Sequence, residues 1–209
     1  MELKFDPENP DYTYITNIDE ANKALEKLEK ERVVGVDIES TGLDPYFSTM
    51  LTVQIGTDKK SYVFDARQLK LNEIKRFKAL LENSKIIKVL HNAKFDYRHI
   101  KHILGIEICN IYDTMLAEVV LNAGIGRGYY SLKALSDKYA GLDLDKAIRA
   151  TFYGVTANTK LTQDQLKYGA IDTLIMFPIF EEQLKILKKE KLIDIAKLEF
   201  ATTKVVGDM

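Results

Sequence analysis

Three pairs of side chains have the types and spacing for metal-assisted phosphate chemistry: Asp37 with Glu39, Asn92 with Asp96, and Tyr168 with Asp172. The first pair sits in Val33-Val34-Gly35-Val36-Asp37-Ile38-Glu39, a short β-branched run that reads as a strand. Residues two apart on a strand share a face, so both carboxylates point away from the side of Val34, Val36 and Ile38. Adjacent like charges raise each other's pKa unless a cation sits between them. A solvated strand end is the plain alternative. Asn92 and Asp96 are four apart on one helical face, just after a strand ending at Leu90, where α/β ligand sites gather; Asn92 also reads as a simple helix cap. Tyr168 and Asp172 repeat the spacing inside a long helix, where a structural hydrogen bond is the alternative. Together, four carboxylates and a phenol suit two Mg²⁺ or Mn²⁺ ions, which prefer oxygen ligands. Two such ions about 4 Å apart activate a water and stabilise the leaving oxygen of a phosphodiester.

The elements that must position these groups follow from the hydrophobic pattern. Thr13 to Lys30 has helical spacing, with Asn17 and Asp19 as capping candidates. Strands are expected at Val33–Glu39, Met50–Ile55 and Ser61–Asp65, an antiparallel meander, with Asp58-Lys59-Lys60 as a turn. A helix over Leu71–Leu81 leads to a strand at Ile86–Leu90. Further helices are expected at Ala93–Leu104, Thr114–Leu121 and from Ser131 to a C-cap at Gly141, with a strand at Ile106–Ile111. Gly124 to Gly128 reads as a loop, and Phe152 to Lys160 as irregular. Thr162 and Gln165 form a capping box for a long helix that Pro178 should kink or interrupt, and Leu192 to Val206 is helical. The expected fold is α/β: a mixed central sheet, antiparallel over its first three strands and then parallel, flanked by helices.

Composition narrows the class. The chain has 209 residues, 46% hydrophobic and 29% charged, an ordinary globular balance. No run approaches the roughly 18–20 apolar residues that span a membrane, and the start is neither a signal nor a transit peptide. Cys109 is the single cysteine, which excludes an internal disulfide and fits a reducing compartment, so a cytoplasmic protein is expected. A net charge of −1 announces no basic face for gripping a duplex.

The blocks Asp37-Ile38-Glu39, Asn92-Ala93-Lys94-Phe95-Asp96 and Tyr168-Gly169-Ala170-Ile171-Asp172 resemble the three motifs of the DEDD exonucleases, of DnaQ-like or ribonuclease H-like fold. Tyr168, four before the last Asp, marks the DEDDy branch; the His-bearing branch would place His where Lys167 stands. Tyr112-Asp113-Thr114-Met115-Leu116 and Ser131-Leu132-Lys133-Ala134-Leu135 make the chain most similar to the proofreading domain of family A DNA polymerases. Leu144-Asp145-Lys146 and Leu161 through Leu166 also resemble ribonuclease D-type enzymes. The resemblance implies an exonuclease domain over residues 1–190. It implies that 191–209 begins a linker helix to a polymerase domain outside this chain.

The same resemblance implies roles. Asp37 bridges two divalent ions, Glu39 and Asp172 join the first, Asp96 reaches the second, and Tyr168 with Glu39 orients the attacking water. Tyrosine near pKa 10 is itself a poor base at neutral pH. Leu43 wedges against the terminal base, Asn92 contacts the terminal nucleotide, Ser40 touches its sugar or phosphate, and Lys94 and Arg127 meet phosphates. The implied substrate is a single-stranded or frayed DNA 3′ end. Two alternatives stand beside it: a ribonuclease D-like RNA exonuclease, and a nucleic-acid-binding domain without catalysis. His99 and His102 read as a solvated helix face, since no further His or Cys completes a zinc site. Asp113 reads as a structural helix cap, Asp44 and Asp65 as turn residues, and Lys185–Lys191 as a solvated face.

Overall fold

The computed structural model describes residues 3–124, 126–145, 147–156 and 158–208, and only the backbone of Arg127; Ile125, Lys146 and the Arg127 side chain therefore lie outside the described residues. A six-stranded mixed sheet forms the frame, in the order β1-β4-β3-β2-β5-β6. The strands are β1 (Tyr12–Ile15), β2 (Val33–Ser40), β3 (Met50–Gly56), β4 (Ser61–Asp65), β5 (Ile87–Leu90) and β6 (Ile111–Asp113). β2, β3 and β4 form the expected antiparallel meander, and β5 and β6 continue in parallel.

Helices cover both faces. On one side lie α1 (Ile18–Leu28), α2 (Lys75–Glu82) and α3 (Ala93–His99), closing a core with Val34, Val36 and Ile38 of β2. On the other lie α4 (Thr114–Leu121), α5 (Leu132–Ala140) and α6 (Gln163–Lys189), while α7 (Ile193–Gly207) packs against α3, α4 and β6. α7 buries Ala196 and Phe200 in that second core.

Local chemistry explains most boundaries. Asn17 caps α1 by accepting the Glu20 N–H, and α1 buries Ala21, Ala24, Leu25 and Leu28 along one stripe. Thr162 and Gln165 make the reciprocal capping box of α6. Gly141 ends α5 in the left-handed conformation, φ 64°.

The structure departs from the expected elements at five places. Tyr12–Ile15 is an edge strand rather than the start of a helix, because it pairs in parallel with Ser61–Phe64. Residues 106–110 do not form a strand: β5 offers only Lys88–Leu90 for pairing, and Ile111–Asp113 take those places. The helix expected over Leu71–Leu81 begins as a 3₁₀ turn at Leu71–Glu73, and α3 widens into a π turn over Ile100–Leu104. Of the kink or interruption expected at Pro178, interruption does not occur, since α6 runs continuously for 27 residues. Its missing N–H leaves one carbonyl unbonded, but every residue from Asp172 to Phe180 is buried, so packing holds the helix through that turn.

Candidate active site

The site forms where α6 lies unusually close to β2. Gly35, Asp37 and Glu39 alternate onto one face of β2. A Cβ on Gly35 would stand 2.9 Å from the Thr173 methyl and carbonyl oxygen of α6; one on Gly169 would stand 2.4 Å from Gln54 Nε2 of β3. At Gly35 the neighbouring backbone leaves no room for a side chain, and at Gly169 a side chain would require the Gln54 amide to move. The ligand-capable oxygens of Asp37, Glu39 and Asp172 consequently all lie within 4.8 Å of one another. A bulge between Glu39 and Ser40 shifts the register with β3, from Thr52 to Met50, just before the chain leaves the sheet for the loop at 41–49.

Asp96 faces the same cleft but stands outside that trio. It is buried, and its Oδ1 accepts the Ile38 N–H at 3.1 Å, which ties α3 to β2. Burial and then the Asp37 charge push its carboxyl well above the usual range. The structure thus gathers three of the four expected carboxylates tightly and leaves the fourth in the same cleft outside their group. This donor set, hard oxygens in a crowded acidic cluster, fits a divalent cation.

Tyr168, one turn before Asp172, is 7% exposed and packs against the Phe152 ring at 6.1 Å between centroids. Burial, then the charges of Asp172, Glu39 and Asp37, raise its phenol pKa far above the ordinary value. The hydroxyl therefore stays protonated and serves as a hydrogen-bonding group.

The cleft, about 390 Å³, is lined by all five of these residues and by Ser40, Leu43 and Asn92. Leu43 stands 66% exposed at its mouth. The Ser40 hydroxyl donates to the Gly42 carbonyl at 2.6 Å, so it is engaged within its own loop. Asn92 adopts φ 58° and ψ 49° and its side chain makes no capping bond. That left-handed backbone costs of the order of 1 kcal/mol for a non-glycine residue, and Asp113 holds it by accepting the N–H groups of Asn92 and Ala93 at 3.1 and 2.8 Å. Asp113 also accepts from Met115 and Leu116, so the expected cap serves two helix starts. Lys94 is exposed on α3 and does not line the cleft.

Two readings change. His99 is fully buried rather than solvated: its Nδ1 bonds the Phe95 carbonyl at 2.9 Å and its Nε2 meets Ser48 Oγ at 3.1 Å, joining α3 to the 41–49 loop. His102 is exposed and stacks on Tyr46 at 4.0 Å. Asp65 is no simple turn residue: it is fully buried and paired with Arg67 at 2.6 Å. Arg67 in turn donates to the carbonyls of Thr156 and Thr159, just before α6.

Of the polar side chains lining the cleft, His91, Arg149 and Tyr153 were not singled out from the sequence, and Lys133 was given no role. Lys133 lies inside a quoted motif, but its side chain pairs with Asp143 at 2.6 Å. Arg149 and Tyr153 belong to a 3₁₀ segment, Ala147–Gly154, whose pattern has no regular period to expose it.

A six-stranded mixed sheet carrying acidic groups from β2, α3 and α6 defines a ribonuclease H-like α/β nuclease fold. Residues 12–188 match the family model described as 3′-5′ exonuclease, and the chain belongs to that family of enzymes. It is 28% identical over 194 residues to DNA polymerase I of Aquifex aeolicus, covering 91% of this chain and 31% of that protein. It is 30% identical over 175 residues to ribonuclease D of Nitrobacter hamburgensis, covering 84% of this chain and 44% of that protein. The chain thus spans less than half the length of either relative. Among solved structures, Escherichia coli RNase D superposes with a TM-score of 0.85 at 19% identity, over 95% of this chain and 51% of that one. Brucella melitensis NrnC with bound Mg²⁺ gives 0.75 at 20% identity, over 94% and 90%. No helix among the described residues is long and apolar enough to cross a membrane.

Proposed function

We propose that this chain removes nucleotides one at a time from single-stranded or frayed DNA 3′ ends, as the proofreading part of a family A DNA polymerase. The carrying observation is the carboxylate trio within 4.8 Å, which shares with Tyr168 a cleft suited to one unstacked terminal nucleotide. Asp37, Glu39 and Asp172 would hold Mg²⁺ or Mn²⁺, with Asp96 serving a second ion. When bound, such ions supply an acidified water and neutralise the leaving oxygen. The chain's own residues do the rest. Tyr168, kept protonated, positions the attacking water with Glu39, and Leu43 separates the terminal base from its neighbour. Asn92 and Ser40, which line the cleft, would contact the terminal nucleotide, while Lys94, from outside the cleft, and Arg127 would meet the strand's phosphates. The match to a polymerase supports DNA as substrate and a covalently linked polymerase domain as partner, with α7 leading toward it.

A second reading, an RNA 3′ exonuclease, is favoured by the 30% identity to ribonuclease D. The test is release of mononucleotides from 3′-labelled single strands of DNA and of RNA, with Mn²⁺ and with EDTA, by wild type and Asp37→Ala. Faster metal-dependent release from DNA supports the first reading, and faster release from RNA the second. Strand binding by the folded wild type without any release would mean a binding module.

A further inference from the structure

We propose that Arg149 grips the scissile phosphate, its guanidinium receiving non-bridging oxygens above the carboxylate trio. This rests on the exonuclease reading and adds a residue to its machinery. The 3₁₀ segment Ala147–Gly154 packs against both α6 and β2, the two elements that carry the trio. Its backbone is fixed on either side of Arg149. Ile148 packs against the cluster of Leu51, Val63 and Leu166, Phe152 is 2% exposed beside the Tyr168 ring, and Gln165 Nε2 donates to the Thr151 carbonyl and hydroxyl at 3.3 and 3.0 Å.

Arg149 itself stays solvent-accessible while lining the cleft with Asp37, Glu39 and Asp172. Burial opposes its charge, but Tyr168, Glu39 and Asp37 are close enough to outweigh that and hold the guanidinium pKa above its ordinary value. Lys133, the other described Lys or Arg of the lining, already pairs with Asp143. A cation close to Glu39 and Asp37 offsets part of the acidic charge that bound divalent ions would neutralise. Once such ions neutralise the acids, its planar fork is matched to two phosphate oxygens. Lysine cannot reproduce that geometry.

The experiment compares wild type, Arg149→Ala and Arg149→Lys on two substrates with Mn²⁺: a labelled single strand, and the p-nitrophenyl ester of thymidine 5′-monophosphate, which offers only a scissile phosphate. A third arm measures thymidine 5′-monophosphate affinity by calorimetry, and circular dichroism checks the fold. The expected result is a kcat loss of roughly 10²–10³-fold, equal on both substrates, with weakened nucleotide binding and little rescue by Arg149→Lys in a folded protein. Unchanged hydrolysis of the small ester alongside a raised KM for the strand would overturn the proposal and make Arg149 an upstream contact. Wild type inactive on both substrates would count against the exonuclease reading alone. The calorimetric arm then still decides on Arg149, since an affinity unchanged in Arg149→Ala refutes the phosphate contact.

Discussion

At the scale of single residues, the site is a balance of crowded negative charge. Asp37, Glu39 and Asp172 share a space 4.8 Å across, and the Asp37 charge reaches the buried Asp96. Asp37→Ala and Asp172→Ala should each lower nucleotide release by more than the roughly 100-fold that groups outside the coordination shell cost. Both variants should stay folded. Relief of repulsion should leave the metal-free Tm of Asp37→Ala equal to or above that of wild type, and a clear fall in Tm would show that the carboxylate is structural. Tyr168→Phe keeps the ring against Phe152 and loses only the hydroxyl. Its rate should drop by roughly 10- to 100-fold with metal affinity retained, as a titration of Mn²⁺ binding would show. Asp37-Ile38-Glu39 and the two four-residue spacings were legible in the sequence because each pair is local. That three of the carboxylates converge, while Asp96 bonds the Ile38 amide, depends on residues from 58 to more than 130 positions apart.

At the scale of elements, two contacts decide how the site is held. The first is the glycine approach of α6 to the sheet. Gly169→Ala drives a Cβ into Gln54, at a cost of about 1–3 kcal/mol for overpacking. It should lower activity as well as stability, because Tyr168 precedes it directly; denaturant melts and nucleotide release measured together would reveal full activity in a destabilised variant if the contact were merely structural. The second is His99, which joins α3 to the loop bearing Leu43. Burial, ahead of its other influences, depresses its pKa below the ordinary 6.5. Protonation then favours the unfolded chain, so stability present above about pH 6.5 is lost as pH falls through the folded value. Denaturant midpoints for wild type should decline between pH 7.5 and 5.5 more steeply than those of His99→Gln. Parallel slopes would remove His99 from that account. The periodicity of α3 was readable, but which of its faces is buried was not, because α7 and the 41–49 loop both close over it.

At the scale of the whole molecule, a buried ion pair links the sheet to the approach of α6. Asp65 and Arg67 are 0% and 4% exposed in their side chains, and Arg67 fastens the carbonyls of Thr156 and Thr159. Burial alone would raise the Asp65 pKa, but Arg67 and Tyr14 outweigh it and hold the carboxyl below 3.8. Its contribution is therefore complete above about pH 4 and is lost only as pH falls through the lowered folded value. Arg67→Ala should cost about 3–5 kcal/mol at pH 7 because it strands a buried carboxylate. Urea unfolding should show the penalty shrinking toward pH 3; a constant penalty would place it in packing rather than charge. Metal should act on the same global scale: Mn²⁺ should raise the wild-type Tm by linkage and leave Asp37→Ala nearly unmoved.

The sequence by itself determined what is local. The strand of Asp37 and Glu39, the helix of Tyr168 and Asp172, the caps at Asn17, Thr162 and Gly141, and the order of the acidic motifs all rest on neighbours within a few residues. Only the tertiary structure decided the parallel edge strand Tyr12–Ile15, the continuity of α6 through Pro178, the buried states of His99 and Asp65, and the arrival of Arg149 at the cleft. Each of these depends on packing between elements far apart in the chain, as Tyr12–Ile15 pairs with Ser61–Phe64 and His99 meets Ser48. Pairing, burial and charge balance across such distances leave no period or motif to read in the chain that makes them.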